Sequence, residues 1–381
     1  MSVSRQVATH PVRARVLVVD DSAFMRRLVS DVIAESGEFD VVGTARDGVH
    51  ALVQVQALDP DIVTLDVDMP GQDGLEALRQ IMRESPRPVV MLSAGGADGG
   101  VDATLRALEL GAVEFVRKPS GAISLDLDGV REHLLEALRA AACANRRSLS
   151  VRCDPDQDAN DGCARKTFKP EIEPTTKDIA FRSARHVVCI AASTGGPAAL
   201  AQVVPALPQF RDTAVMIAQH MPAGFTESLA RRLDAGARLV VREALHNEPV
   251  RAGHAYLAPG GFHLRVGLVD GVPCCVLDSS PTLWGVRPAA DHLFTSAAMA
   301  FGTACIGVVL TGMGCDGAAG LFAIRHAGGR GIVQDQASSV IAGMPMAALQ
   351  HAGAEHVVPL NRIASTIVNL VDAPRGAELP Q

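Results

Sequence analysis

Residues 16–28 read VLVVDDSAFMRRL and residues 62–78 read IVTLDVDMPGQDGLEAL. In each, an aliphatic run stops on an acidic residue and gives way to a helix-like pattern. A strand apolar at consecutive positions is buried on both faces, the condition of an inner strand in a parallel sheet. After the first run, Phe24, Leu28, Val32 and Ile33 fall on one helical stripe. The same alternation recurs around the runs at residues 41–42, 89–92 and 113–116. Five such units over residues 14–142 predict a flavodoxin-like (βα)5 domain, an α/β fold with helices on both faces of a doubly wound sheet.

Residues 143–184 break this rhythm: NRRSLSVRCDPDQDANDGCARKTFKPEIEPTTKDIAFRSAR, at 145–185, mixes charges with Pro, Asp and Thr and reads as a linker, mobile in part. From residue 185 to 372 the β/α pattern returns, with runs at 187–191, 214–218, 304–310 and 331–334. Residues 266–277 interrupt it with two apolar runs around Asp270-Gly271, the signature of a β-hairpin. The second domain is expected to be a doubly wound α/β hydrolytic domain with a β-hairpin addition.

The chain of 381 residues, 48% of them hydrophobic and 20% charged, has enough apolar material for two cores. Its net charge of −7 argues against a basic nucleic-acid surface as the organising feature. No run approaches the ~20 apolar residues of a membrane span, and MSVSRQVATHPVRAR lacks the apolar core of an export signal. The eight cysteines form no C-x-x-C pair, which argues against a zinc site and fits a reducing, cytoplasmic setting.

In doubly wound sheets, function gathers beyond the C-terminal strand ends. In the first domain those ends carry Asp20-Asp21, Asp66, Ser93 and Lys118. Converging carboxylates repel one another unless a hard cation joins them, and oxygen ligands suit Mg²⁺. Asp66 beside such an ion could attack phosphorus, with Ser93 and Lys118 holding the phosphoryl oxygens. Taken singly, Asp20 and Asp66 also suit helix N-caps; four strand ends together favour phosphotransfer.

In the second domain the strand ends carry Ser193, His220 and Asp316. Ser193 opens Ser193-Thr194-Gly195-Gly196-Pro197, a sharp strand-to-helix turn beside free N–H groups. His220 could take the serine proton and Asp316 could orient the imidazole. Alone, Ser193 and Asp316 also fit helix caps and His220 a structural role. The three groups together point to acyl transfer.

These segments carry a resemblance. VLVVDDSAFMRRL, TLDVDMPGQDGLEAL, VVMLSAGG and EFVRKPS resemble a response-regulator receiver domain. AASTGGP, QHMP, GHAYLAPGGFHL, VRPAADHLFTSAA and TGMGCDGAAGL resemble the chemotaxis protein-glutamate methylesterases, which are also protein-glutamine glutaminases. The resemblance implies Asp66 as phosphoacceptor, Asp20, Asp21 and Asp66 as Mg²⁺ ligands together with the Asp68 carbonyl, and Ser93, Lys118 and Phe115 as the switch residues. It implies Ser193 as nucleophile, His220 as base and Asp316 as its partner, with Thr194 and the Met313 amide supporting the oxyanion and no cofactor for the esterase. It further implies methylated chemoreceptor helices as substrate, a chemotaxis histidine kinase as phosphodonor, and a monomeric protein without membrane insertion. A catalytically silent, phospho-dependent adaptor is the alternative; a DNA-binding output is disfavoured by the absence of a basic helix-turn-helix pattern. Trp284, the only tryptophan, reads equally as a packing residue or a substrate contact.

Overall fold

The computed structural model describes residues 13–69, 73–93, 99–118, 127–150 and 182–372. The chain divides into two compact units. The first is built on β1 (Ala14–Val19), β2 (Phe39–Ala45), β3 (Ile62–Asp66), β4 (Val89–Ser93) and β5 (Glu114–Arg117). Helices α1 (Ala23–Ser36), α2 (Gly48–Leu58), α3 (Gly74–Glu84) and α5 (Leu127–Ala142) alternate with them in sequence, while α4 (Gly99–Glu109), between β4 and β5 in the chain, falls in the second unit. The five strands are ordered β2-β1-β3-β4-β5 and every pairing is parallel. The apolar runs of β1, β3 and β4 lie at the centre, and Val16 through Val19, Val63 and Val89 through Met91 are fully buried.

Most of the stretch read as a linker, residues 151–181, and Pro119 of the EFVRKPS motif lie outside the described residues. Ahead of that stretch, α6 (Arg146–Ser150) is anchored: Asn145 donates from its backbone to Val340 and from its side chain to the carbonyl of Ala337, and Leu149 is buried.

The second unit contains a seven-stranded, wholly parallel sheet ordered β15-β14-β13-β6-β7-β10-β8. Its strands are β6 (His186–Ala192), β7 (Thr213–Gln219), β8 (Val240–Glu243), β10 (His254–Leu257), β13 (Cys305–Val309), β14 (Arg330–Gln334) and β15 (His356–Val358). The helices are α7 (Gly196–Ala206), α8 (Phe225–Gly236), α9 (Ala290–Phe301), α10 (Ala318–His326), α11 (Gly343–Ala352) and α12 (Leu360–Asp372). Tyr256, Leu293, Phe294, Met216 and Leu321 are among the core residues. The expected hairpin is β11 (His263–Val269) and β12 (Val272–Asp278), turning on Asp270 and Gly271 at φ 51° and 78°, with β9 (Glu248–Pro249) adding a third antiparallel strand. No described helix is long and apolar enough to cross a membrane.

From β6 the chain runs outward through β7 to one edge, then returns to place β13 on the other side of β6. The strand order therefore reverses at β6, the point beyond whose carboxyl ends doubly wound sheets place their binding crevices. The residues following β6, β7 and β13 include Ser193, His220 and Asp316, the three groups expected from the sequence to act together.

Candidate functional site

In the first unit, Lys118 Nζ lies 2.6 Å from Asp20 Oδ2 and 2.7 Å from Asp66 Oδ2. One carboxylate oxygen from each of Asp20, Asp21 and Asp66 falls within 4.8 Å of the others. Neither Asp20 nor Asp66 is a helix cap: Ser22 caps α1 and Asp73 caps α3. Burial pushes the Asp66 carboxyl up to about 6, with the Asp20 charge adding to it and Lys118 and the Asp68 N–H opposing. Burial also acts to lower Lys118, but bonding to Asp20 and Asp66 outweighs it and raises the amine overall. Ser93 is buried, its Oγ without a hydrogen-bond partner among the described residues, while its carbonyl accepts the Lys118 N–H at 2.7 Å. Phe115 is buried on β5. Three carboxylates facing one ammonium leave an excess of negative charge, and an all-oxygen donor set of this kind fits Mg²⁺.

In the second unit, Ser193, His220 and Asp316 follow three adjacent strands. Parallel pairing carries Ala192 opposite Gln219, and the His220 N–H continues it to Ala192 O at 3.1 Å. Ser193 and His220 thus stand at adjacent strand ends, which lie ~4.8 Å apart in a sheet. On the other side the Ser193 N–H bonds Thr311 O at 3.0 Å, tying the serine to the chain leaving β13. Ser193 does not cap α7: the cap residue is Gly195, at φ 75°. No hydrogen bond joins Ser193 to His220 among the described residues; such contacts commonly close only around substrate.

Asp316 is the most heavily held group. His220 Nε2 lies 2.7 Å from its Oδ2. Backbone N–H groups of Ala290, Asp291 and Gly317 donate to it at 2.6, 2.9 and 2.9 Å. Ala290 and Asp291 begin α9, so the carboxylate sits at a helix N-terminus as well as beside an imidazole. Burial alone would raise this carboxyl, but the His220 bond and charge and the backbone donors hold it below the ordinary carboxylate range. Asp316 does not cap α10 either; that cap residue is Gly317.

Two supporting residues carry no role in the sequence reading. Gln219 is buried, and its Nε2 donates to the carbonyls of both Ser193 and His220, at 3.0 and 3.1 Å. Gly312 must lack a side chain, because a Cβ there would stand 2.8 Å from the Ser193 Cβ and against Met344. QHMP and TGMG contain both residues, but neither clamp nor close approach leaves a spacing signal of its own. Thr194 is buried, and its carbonyl accepts the Thr311 hydroxyl at 3.0 Å. Met313 is 44% exposed, and its N–H has no acceptor among the described residues.

A doubly wound acidic-rim domain followed by an α/β domain with serine, histidine and aspartate at one switch point defines a response regulator with a hydrolase output. Sequence comparison agrees. Residues 16–126 match the response regulator receiver domain and residues 188–367 match the CheB methylesterase family. The protein-glutamate methylesterase/protein-glutamine glutaminase of Pyrococcus horikoshii is 43% identical over 96% of this chain and 95% of its own length. The enzyme of the same name from Symbiobacterium thermophilum is 44% identical over 94% of this chain and 97% of its own. Among solved structures, the CheB methylesterase catalytic domain of Thermotoga maritima is similar, at 39% identity and a TM-score of 0.48, covering 50% of this chain and all of that one. The chain belongs to the family of protein-glutamate methylesterase/protein-glutamine glutaminases with an N-terminal receiver domain.

Proposed function

We propose that this chain hydrolyses γ-methyl esters of glutamate side chains, and γ-amides of glutamine, on cytoplasmic helices of chemoreceptors, under the control of phosphorylation at Asp66. The observation that carries the reading is the 2.7 Å bond from His220 to a deeply held Asp316, beside the strand end that bears Ser193.

Ser193 Oγ attacks the ester or amide carbonyl carbon while His220 takes its proton. The Met313 N–H, at the crowded Gly312 turn, serves the tetrahedral oxyanion. His220 returns the proton to the leaving group, which departs as methanol or ammonia. Water, deprotonated by His220, then attacks the acyl-enzyme and frees glutamate and Ser193.

In the receiver, Asp20, Asp21, Asp66 and the Asp68 carbonyl would hold Mg²⁺, and the ion would supply charge neutralisation for phosphoryl transfer. Asp66 accepts the phosphoryl group from a chemotaxis histidine kinase. The orphaned Ser93 hydroxyl and Lys118 then bind its oxygens. Phosphorylation at Asp66 then shifts the population toward the active state of the esterase.

A serine-directed phosphonate with mass mapping tests the nucleophile. Label on Ser193, with loss of methanol release from methylated receptor in Ser193→Ala, is expected. Label elsewhere, or turnover that survives Ser193→Ala, overturns Ser193 as the nucleophile; neither label nor methanol release in the wild-type chain leaves the catalytically silent, phospho-dependent adaptor.

A further inference from the structure

Trp284 does not behave as a packing residue. Its side chain is 58% exposed, and its backbone is at φ 58°, a left-handed conformation that bulky residues rarely adopt. It occupies, with Gly285 at φ 79°, the centre of a tight turn closed by reciprocal backbone bonds between Leu283 and Val286. Such turns favour Asn and Gly at both central positions. A large ring placed there, largely in water, costs the fold and gains it little burial.

One end of the ring is nonetheless fixed. Trp284 Nε1 donates to Asp291 Oδ2 at 2.8 Å. Asp291 is buried; its other oxygen accepts the Gly320 N–H at 2.6 Å, and its backbone N–H holds Asp316 at 2.9 Å. The indole is therefore joined through one residue to the carboxylate that holds His220. Met313, also substantially exposed, follows the Gly312 turn against Ser193. Two exposed large apolar side chains are thus tied to the triad, Met313 by its place next to Gly312 and Trp284 through Asp291 to Asp316. A substrate that presents a side-chain ester from a folded helix must rest the surface around that side chain on this rim, and an indole with a pinned N–H offers it a broad, preorganised apolar face.

We propose that Trp284 is a specificity-determining residue whose exposed ring receives the apolar surface of the substrate helix flanking the esterified glutamate. The proposal rests on the esterase reading above and deepens it. Asp291 acts as a positioning residue, fixing the ring through the indole N–H.

Because the chain contains a single tryptophan, its fluorescence reports on this residue alone. The full chain carrying Ser193→Ala, titrated with a synthetic amphipathic helical peptide bearing one glutamyl γ-methyl ester, is expected to show a saturable blue shift of emission. An emission spectrum unchanged over the range in which anisotropy of the labelled peptide saturates, or no saturation at all, overturns the proposal. With Ser193 intact, Trp284→Ala is expected to raise KM for the peptide ester about tenfold with kcat nearly held, and Trp284→Phe, which keeps a ring but loses the N–H to Asp291, recovers part of that loss. A fall confined to kcat, or no rescue by Phe, would mean that Trp284 serves only to brace Asp291 and α9. Failure of the esterase reading is separate: the blue shift would appear while the wild-type chain releases no methanol.

Discussion

Nε2 of His220 lies 2.7 Å from Oδ2 of Asp316, so the nitrogen that faces the carboxylate is Nε2, and in the proposed reaction the base is Nδ1. A carboxylate that accepts from Nε2–H fixes that tautomer. His220→Gln keeps a donor near the Nε2 position but removes the base. Release of methanol from a methylated receptor is expected to fall by about 10³-fold or more, with the fold intact. Asp316→Asn is expected to cost about 10²–10⁴ in kcat and also to lower the unfolding temperature, because an amide NH₂ replaces an acceptor among three backbone donors. Wild-type turnover in either variant would remove the substituted residue from the reaction.

Gly312→Ala tests the close approach to Ser193. The added methyl group would stand 2.8 Å from the Ser193 Cβ and must also displace Met344. Displacing a nucleophile by about 1 Å costs on the order of 10²-fold. The expected outcome is a loss of that size in kcat/KM, with a far-ultraviolet circular dichroism spectrum like that of the wild type. Undiminished kinetics would mean that Ser193 is not constrained from this side.

The pH dependence of receiver stability follows from Asp66, whose carboxyl burial pushes up to about 6. A carboxyl raised on folding is a cost that is present in full above its folded value and relieved as pH falls toward its unfolded one. In chelator, the receiver transition of the wild type should therefore rise in temperature between about pH 8 and pH 5, and Asp66→Asn should flatten that rise and gain roughly 3–5 °C at the alkaline end. Mg²⁺ should stabilise the wild type at the same end and leave the Asn variant little changed. Thermal melts in chelator and in Mg²⁺ decide it; equal pH slopes in the two proteins would contradict the cause assigned to the shift.

The receiver's influence on the hydrolase can be read from basal activity. If the unphosphorylated receiver restrains the esterase, deleting residues 1–140 should raise basal methanol release. An unchanged or lower rate in a folded fragment would count against restraint by occlusion.

Both parallel sheets are legible in the sequence because their central strands are buried on two faces and so read as uninterrupted apolar runs. The strands β8, β10 and β15 are not: VVRE, HAYL and HVV are short and carry polar residues. The strand-end groups Asp66, Ser193 and His220 stand out because each follows such a run with reactive chemistry, and Asp316 because it ends the Gly-rich turn TGMGCD after β13. What holds them is hidden. Asp316 receives its backbone donors from Ala290 and Asp291, and backbone donors leave no mark in a residue pattern. The exposure of Trp284, and its tie to Asp291, depend on a turn conformation that its residue type disfavours.

Gln219 gives the last prediction. Its amide nitrogen bridges the carbonyls of Ser193 and His220, coupling the two strand ends whose alignment the acyl transfer requires. Its Oε1 is buried with no partner among the described residues, so the side chain is held by its donor end alone. Gln219→Leu keeps most of the volume and removes that polar oxygen, but it leaves the His220 carbonyl short of its donor, while the Ser193 carbonyl keeps the Gly196 N–H at 2.7 Å. Orphaning a buried acceptor costs about 1–3 kcal/mol, and losing the unpaired oxygen returns part of it. Stability should fall by no more than about 2 kcal/mol, a modest change in denaturation midpoint. Turnover should fall further than stability does, by about tenfold or more in kcat, because Ser193 and His220 are no longer tied to one group. Loss of stability with kcat preserved would make Gln219 a fold residue only, and the alignment of Ser193 with His220 would then rest on the β6–β7 ladder alone.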